Sequence, residues 1–355
     1  MKKITLLFGF AFFATCIAYA QTQADSLLNF IGNNKSRAAI YLVQNDTVLA
    51  AINENKMMPL ASTVKIMVAL EFAKQAAKNV VNQNSYVALK ELDKFYLANT
   101  DGGAHPNWLQ YEKSKGHIIR DSVQLINVAR GMILFSSNAN TEFLMGLLGL
   151  DNVQNNLQLL GIKQHSSIYP MVSSLFLYQN PRHKSEQSII KGISQLSDEQ
   201  YSRFIYDIHK ALKYDTVLKS KFRPQDLSMK LQKLWSDRLP SSTAKEYAQL
   251  CNVFNNRRYF DNDTYAILSK VLESVMENPS NKQWLKHAGM KGGSTAWVLT
   301  KALYATSKEG QRIEMAYFFN NLDAGENEKL QKWMNAFELQ ILSNGDFRKK
   351  VAMKL

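Results

Sequence analysis

A serine and a lysine three residues apart open the most apolar helical run of the chain: Ser62 and Lys65, within PLASTVKIMVALEFAK (Pro59 to Lys74). Residues three apart on a helix share a face, which sets the Lys65 amine beside the Ser62 hydroxyl. A serine hydroxyl becomes a useful nucleophile when a neighbouring base takes its proton. A lysine beside a dry helix is such a base, because desolvation disfavours its charged form. Ser62 falls in the first helical turn, where backbone N–H groups without helical partners point at a developing oxyanion. Alone, the spacing fits equally a capping serine followed by a lysine that snorkels to solvent. Two further polar islands set it apart: Ser136-Ser137-Asn138 and Lys291-Gly292-Gly293-Ser294.

The elements that carry these islands are legible from periodicity. Ile66 to Leu70 is apolar on every face, which suits a helix buried all round. RAAIYLVQNDTVLAAIN reads as two strands joined by turn chemistry at Asn45-Asp46. Asp121 to Leu150 is two apolar helical runs broken by the second island, and a helix from Asp151 to Ile162 follows. Asp101-Gly102-Gly103 reads as a loop, and Ser242 to Asn255 as a capped helix. His287 to Lys301 and Arg312 to Asn321 read as strands, and Glu326 to Leu342 as a closing amphipathic helix. Strands at both ends with helices between predict an α+β fold: an antiparallel sheet built from both chain ends, with an inserted helical lobe. The α/β lobe is expected at about 25–74 and 285–345, and the helical lobe at about 75–284, with a charged insertion at about 178–239.

At 355 residues, 46% hydrophobic and 21% charged, the chain is an ordinary globular protein with room for a large core. MKKITLLFGFAFFATCIAYA has the charged start, apolar middle and small-x-small end of a secretory signal, cleaved after Ala20. Export to the periplasm or the medium is the expectation, with no membrane-spanning segment in the mature chain. Only Cys251 then remains, so no internal disulfide forms, and its apolar context predicts a buried, inert thiol. A net charge of +13 favours anionic envelope surfaces. No basic stripe with interleaved aromatics points to nucleic acid. No metal-ligand spacing, Gly-x-Ser-x-Gly elbow or phosphate-cradling glycine loop occurs, so neither a metal nor an organic cofactor is expected. A monomer is expected.

The three islands, in this order, resemble the penicillin-recognising serine enzymes, which comprise the serine β-lactamases and the D-alanyl-D-alanine peptidases. GMILFSSNANTEFLMGLLG and NVQNNLQLLGI are similar to the helix pair around the second motif of class A β-lactamases, and STAKEYAQL to a helix start of that class. The resemblance implies a β-lactamase/transpeptidase-like fold with Ser62 as acylated nucleophile and Lys65 as its base. It further implies that Ser136 relays a proton to the leaving nitrogen, and that Asn138 holds an acylamide side chain. Lys291 would hold a substrate carboxylate beside Gly293, and the N–H groups of Ser62 and Ser294 would form the oxyanion hole. The implied substrate is a small β-lactam or a peptidoglycan-type peptide.

Three departures stand against the family pattern. Ser137 replaces the usual aspartate, and Gly292 replaces a threonine or serine whose hydroxyl binds the substrate carboxylate. The loop that carries the deacylating glutamate in class A corresponds here to KQHSSIYPMVSSLF, which has no acidic residue. Its polar candidates are His165, Tyr169, Ser173 and Ser174. β-Lactam hydrolysis leads, with D-alanyl peptidase or small-ester hydrolase as alternatives, and a non-turnover sensor domain as the reading from another class. A glutamate of the insertion, such as Glu186, is the candidate replacement base.

Overall fold

The computed structural model describes residues 21–179 and 185–355. The N-terminal leader therefore lies outside the described residues. Five strands form one antiparallel sheet: β1 (Ala38–Gln44), β2 (Thr47–Ile52), β3 (Leu285–Ser294), β4 (Leu299–Ser307) and β5 (Arg312–Phe319). Their order is β2-β1-β5-β4-β3, so both chain ends build it and β3 is an edge. Asn45 and Asp46 turn β1 into β2 with φ of 47° and 67°, the left-handed geometry that matches strand twist in a two-residue hairpin.

Alternation along β5 divides the core. Met315, Tyr317 and Phe319 pack on the outer face against the helix at 21–33 and the C-terminal helices Ala324–Ser343 and Gly345–Lys354. Ala316 and Phe318 point inward against the helix Ala244–Asn256 and the helical lobe. Thr243 caps that helix by accepting from Glu246 N, as its Ser/Thr start predicts. Cys251 lies inside it, buried and unpaired, and burial pushes its thiol up, away from the reactive thiolate.

The centre of the lobe is the helix Lys65–Ala77. Ile66, Met67, Val68, Ala69 and Leu70 are all buried, packed by the helices Leu125–Leu134, Asn138–Leu148, Leu150–Leu159 and Asn262–Leu272. Each large apolar side chain buried this way contributes about 1.5–3 kcal/mol, so the helix is a fixed post. The run from His287 to Lys301 is a hairpin and not one strand. Thr295 Oγ1 accepts from Trp297 N and Val298 N at 3.2 and 3.1 Å, closing a turn where no glycine or proline announces one.

The chain between 167 and 240 is one long excursion. Its neck is pinched where Ser166 N donates to Ser241 O at 2.9 Å and Ser241 N to Ser166 Oγ at 2.8 Å. The excursion gathers a second core, with Tyr169, Val172, Leu175, Tyr178, Ile193, Tyr201, Ile205, Leu227 and Leu231, to which Leu97 contributes from outside it. The expected insertion at 178–239 is thus continuous with the loop before it.

Candidate active site

Ser62 lies in a 3-10 turn, Ala61–Val64, that leads directly into the Lys65 helix. The turn is held against the edge of the sheet. Thr300 Oγ1 on β4 donates to Leu60 O at 2.8 Å and lies 2.8 Å from Thr63 Oγ1, both fully inside the protein. On β3, Gly293 faces the turn so closely that a Cβ would stand 2.4 Å from Ser62 N and 2.6 Å from Leu60 O. Only glycine fits there, and its absence of a side chain lets the Ser62 N–H face the strand. Ala61 has φ of 46° and Ser136 φ of 66°, conformations that cost a non-glycine residue about 1–3 kcal/mol and that cluster at functional sites.

Lys65 is completely buried. Its Nζ donates to Ser136 O at 2.6 Å and Asn138 Oδ1 at 2.7 Å, and contacts Ser136 Oγ at 3.3 Å. These bonds go to the second island and not to Ser62, because a carbonyl and an amide oxygen are there to receive the amine. Lys291 Nζ, from β3, donates to the same Ser136 Oγ at 3.1 Å and to Gly292 O at 2.8 Å. Ser136 therefore stands between two buried amines. Burial first, and the charge of Lys291 second, pull Lys65 well below the ordinary lysine range. Burial and the charge of Lys301 pull Lys291 down to about 7. A neutral Lys65 satisfies Ser136 O and Asn138 Oδ1 with its two N–H groups and keeps a lone pair to accept a proton.

Ser137 caps the helix Asn138–Leu148. Its hydroxyl accepts from Asn140 N at 3.2 Å as helix cap and meets His105 Nδ1 at 2.9 Å, all three residues being buried. At Gly292 a Cβ would lie 3.3 Å from Thr300 O and 3.6 Å from the Lys301 stem. Lys301, opposite Gly292 on β4, fills that side and pairs with Glu338 at 3.3 Å.

These groups open into one cleft of about 700 Å³. Ser62, Ser136, Asn138, Lys291, Gly293 and Ser294 line it, while Lys65 lies beneath its floor. All seven residues singled out in the sequence thus converge. Sequence reasoning missed Asp101, Thr300 and Lys301, as well as Leu227 and Trp235 of the excursion, which line the same cleft. Trp235 is locked by its Nε1 donating to Ser174 Oγ at 2.8 Å, and Ser236 Oγ meets Thr295 Oγ1 at 2.7 Å. The excursion is thereby tied to the β3–β4 turn beside Ser294.

The polar candidates of the stretch 163–176 are all engaged elsewhere. His165 meets Tyr247 Oη at 3.1 Å, and burial pulls it down to about 4. Tyr169 donates to Arg238 O, and Ser173 Oγ donates to Glu142 Oε2 at 2.5 Å. Glu142 also accepts from Val172 N at 2.7 Å and from His209 Nδ1 at 3.0 Å, which anchors the wall without facing the cleft. What the stretch presents to the cleft is Met171, Val172 and Leu175. Glu186 does not fold over the site: it lies 3.9 Å from Lys230 and is no part of the cleft lining. His287 hydrogen-bonds Asn255 Oδ1 at 2.8 Å outside the cleft, a structural role.

A family model described as the beta-lactamase enzyme family matches residues 22–257. Among solved structures, a class A β-lactamase from Bacteroides cellulosilyticus is 14% identical, covering 91% of this chain and 99% of its own, with a TM-score of 0.52. A class A β-lactamase from Mycobacterium abscessus is 10% identical over the same shares, with a TM-score of 0.55. The structure titled PBP-A is 13% identical, covering 89% of this chain and 95% of its own, with a TM-score of 0.53. At these identities the likeness shows a shared fold. No curated protein matches the chain. Among the described residues no helix is long and apolar enough to cross a membrane.

Proposed function

From the premise that this chain belongs to the β-lactamase enzyme family, we propose that it is an exported serine acyl hydrolase that opens β-lactam amides through a Ser62 acyl-enzyme. The observation that carries this reading is Ser136 held between the buried amines of Lys65 and Lys291 at 3.3 and 3.1 Å. Ser62 Oγ attacks the acyl carbon, and its proton passes to the lone pair of Lys65. The developing oxyanion is met by the N–H groups of Ser62 and Ser294, donors fixed before the reaction begins. As the C–N bond breaks, Ser136 hands its proton to the leaving nitrogen and is reprotonated from the lysine pair. Lys291 meets the substrate carboxylate and Asn138 its acylamide. Water then hydrolyses the ester and frees Ser62.

The apolar wall of Met171, Val172 and Leu175 favours a second reading of the last step. With no carboxylate in that wall, water on the ester is poorly activated, and a D-alanyl peptidase or penicillin-binding protein with a long-lived adduct results. A chromogenic cephalosporin and a fluorescent penicillin separate the cases. Rapid colour supports the lactamase, and a stable label without colour supports the peptidase or sensor. Absence of both rejects the acyl-enzyme.

A further inference from the structure

Asp101 is the one carboxylate lining the cleft among the described residues, in a cleft whose other charges are Lys291 and Lys301 and in a chain of net charge +13. We propose that Asp101 binds a protonated amine on the acyl side chain of the substrate, so that the preferred acyl donor is a zwitterion. Its carboxylate lies toward Lys291 and its ammonium toward Asp101. The inference rests on the acyl-transfer reading of the cleft and deepens it.

The carboxylate is built into place. Its Oδ1 accepts from Gly103 N at 3.1 Å and its Oδ2 from His105 N at 2.9 Å, which fixes the group ahead of the helix Ala104–Ser114 and leaves lone pairs on both oxygens. Capping alone requires an acceptor and no full charge. No ion pair engages Asp101 among the described residues, although the chain is rich in lysine. It lines the same cleft as Ser62, Ser136 and Asn138. Asn99 and Asn107 stand on the same wall, exposed and lining the cleft. Their amide oxygens add neutral acceptors for the remaining N–H groups of an ammonium. A fixed, uncompensated anion with acceptors around it recognises a cation, and in a cleft otherwise positive it also orients a dipolar ligand.

The test compares two penicillins that differ in one α-ammonium group, ampicillin and benzylpenicillin. Rate constants for formation of the Ser62 adduct are measured by intact-mass spectrometry. The readout is the ampicillin-to-benzylpenicillin ratio in wild type, Asp101→Asn and Asp101→Lys. The ratio cancels any effect of Asp101 on Lys65 or on folding, since both donors meet the same preparation. Asp101→Asn is expected to lower the ratio roughly fivefold, the scale of a partly exposed charge pair, and Asp101→Lys to lower it further. An unchanged ratio, with adducts formed from both donors, overturns the Asp101 assignment and leaves the acyl-enzyme standing. No adduct from either donor on wild type overturns the acyl-transfer reading and this assignment with it.

Discussion

In the proposed acyl transfer Lys291 meets the substrate carboxylate, and burial pulls its amine down to about 7, so the preference for carboxylate-bearing donors is expected to fade across neutral pH. The sign follows from the depressed value: the anchor is charged below about 7 and neutral above. For a single group titrating there, the charged fraction falls from about nine-tenths at pH 6 to about one-tenth at pH 8. Lys65 works the opposite way, since it must be neutral to accept the Ser62 proton, and its own titration distorts any raw rate profile. A ratio removes that distortion. Acylation is measured by stopped flow for an ester donor with a free carboxylate and for its carboxamide analogue. The ratio of the two rate constants is expected to fall about tenfold from pH 6 to pH 8. In Lys291→Arg the guanidinium stays charged, and the ratio is expected to stay level over the same range. A level ratio in wild type, or an equal fall in Lys291→Arg, refutes Lys291 as the titrating anchor.

Three other outcomes follow. Ser62→Ala should take up no mass from any β-lactam or activated ester, with a melting curve close to wild type because no packing is lost; a labelled variant rejects Ser62 as nucleophile. Gly293→Ala forces a methyl to 2.4 Å from Ser62 N, and should cost about 1–3 kcal/mol in thermal unfolding. It should also slow acylation about 10²-fold through the displaced oxyanion donor, read by stopped flow. Penicillin turnover should show a burst and then a slow steady rate, because a missing general base is worth about 10²–10⁴-fold; linear, rapid turnover would reveal a base outside the Met171–Leu175 wall.

Much of this was legible in the sequence because it is local or periodic. The all-round apolar run after Lys65 marked the central helix, and Asn45-Asp46 marked the first hairpin. Three short islands were enough to name the residues that meet at the cleft, since each is a turn or strand segment of few residues. The β3–β4 turn was hidden because Thr295 makes it with a side-chain hydroxyl, while Trp297, Val298 and Leu299 continue the apolar pattern of a strand. Asp101 was hidden behind its own turn chemistry, for Asp-Gly-Gly is a loop wherever it falls. The excursion looked like a separate insertion because nothing in 178–239 signals that Leu227 and Trp235 return to the site. That return depends on the Ser166–Ser241 neck and the Trp235–Ser174 contact, which join residues 75 and 61 positions apart.

The acyl-enzyme on Ser62 is tested most directly by time-resolved intact-mass spectrometry of the mature protein mixed with benzylpenicillin. The expected result is rapid appearance of protein heavier by one whole penicillin, slow return to the free mass, and peptide mapping that places the addition on Ser62. Unmodified protein at every time, or an addition that persists in Ser62→Ala, would contradict it.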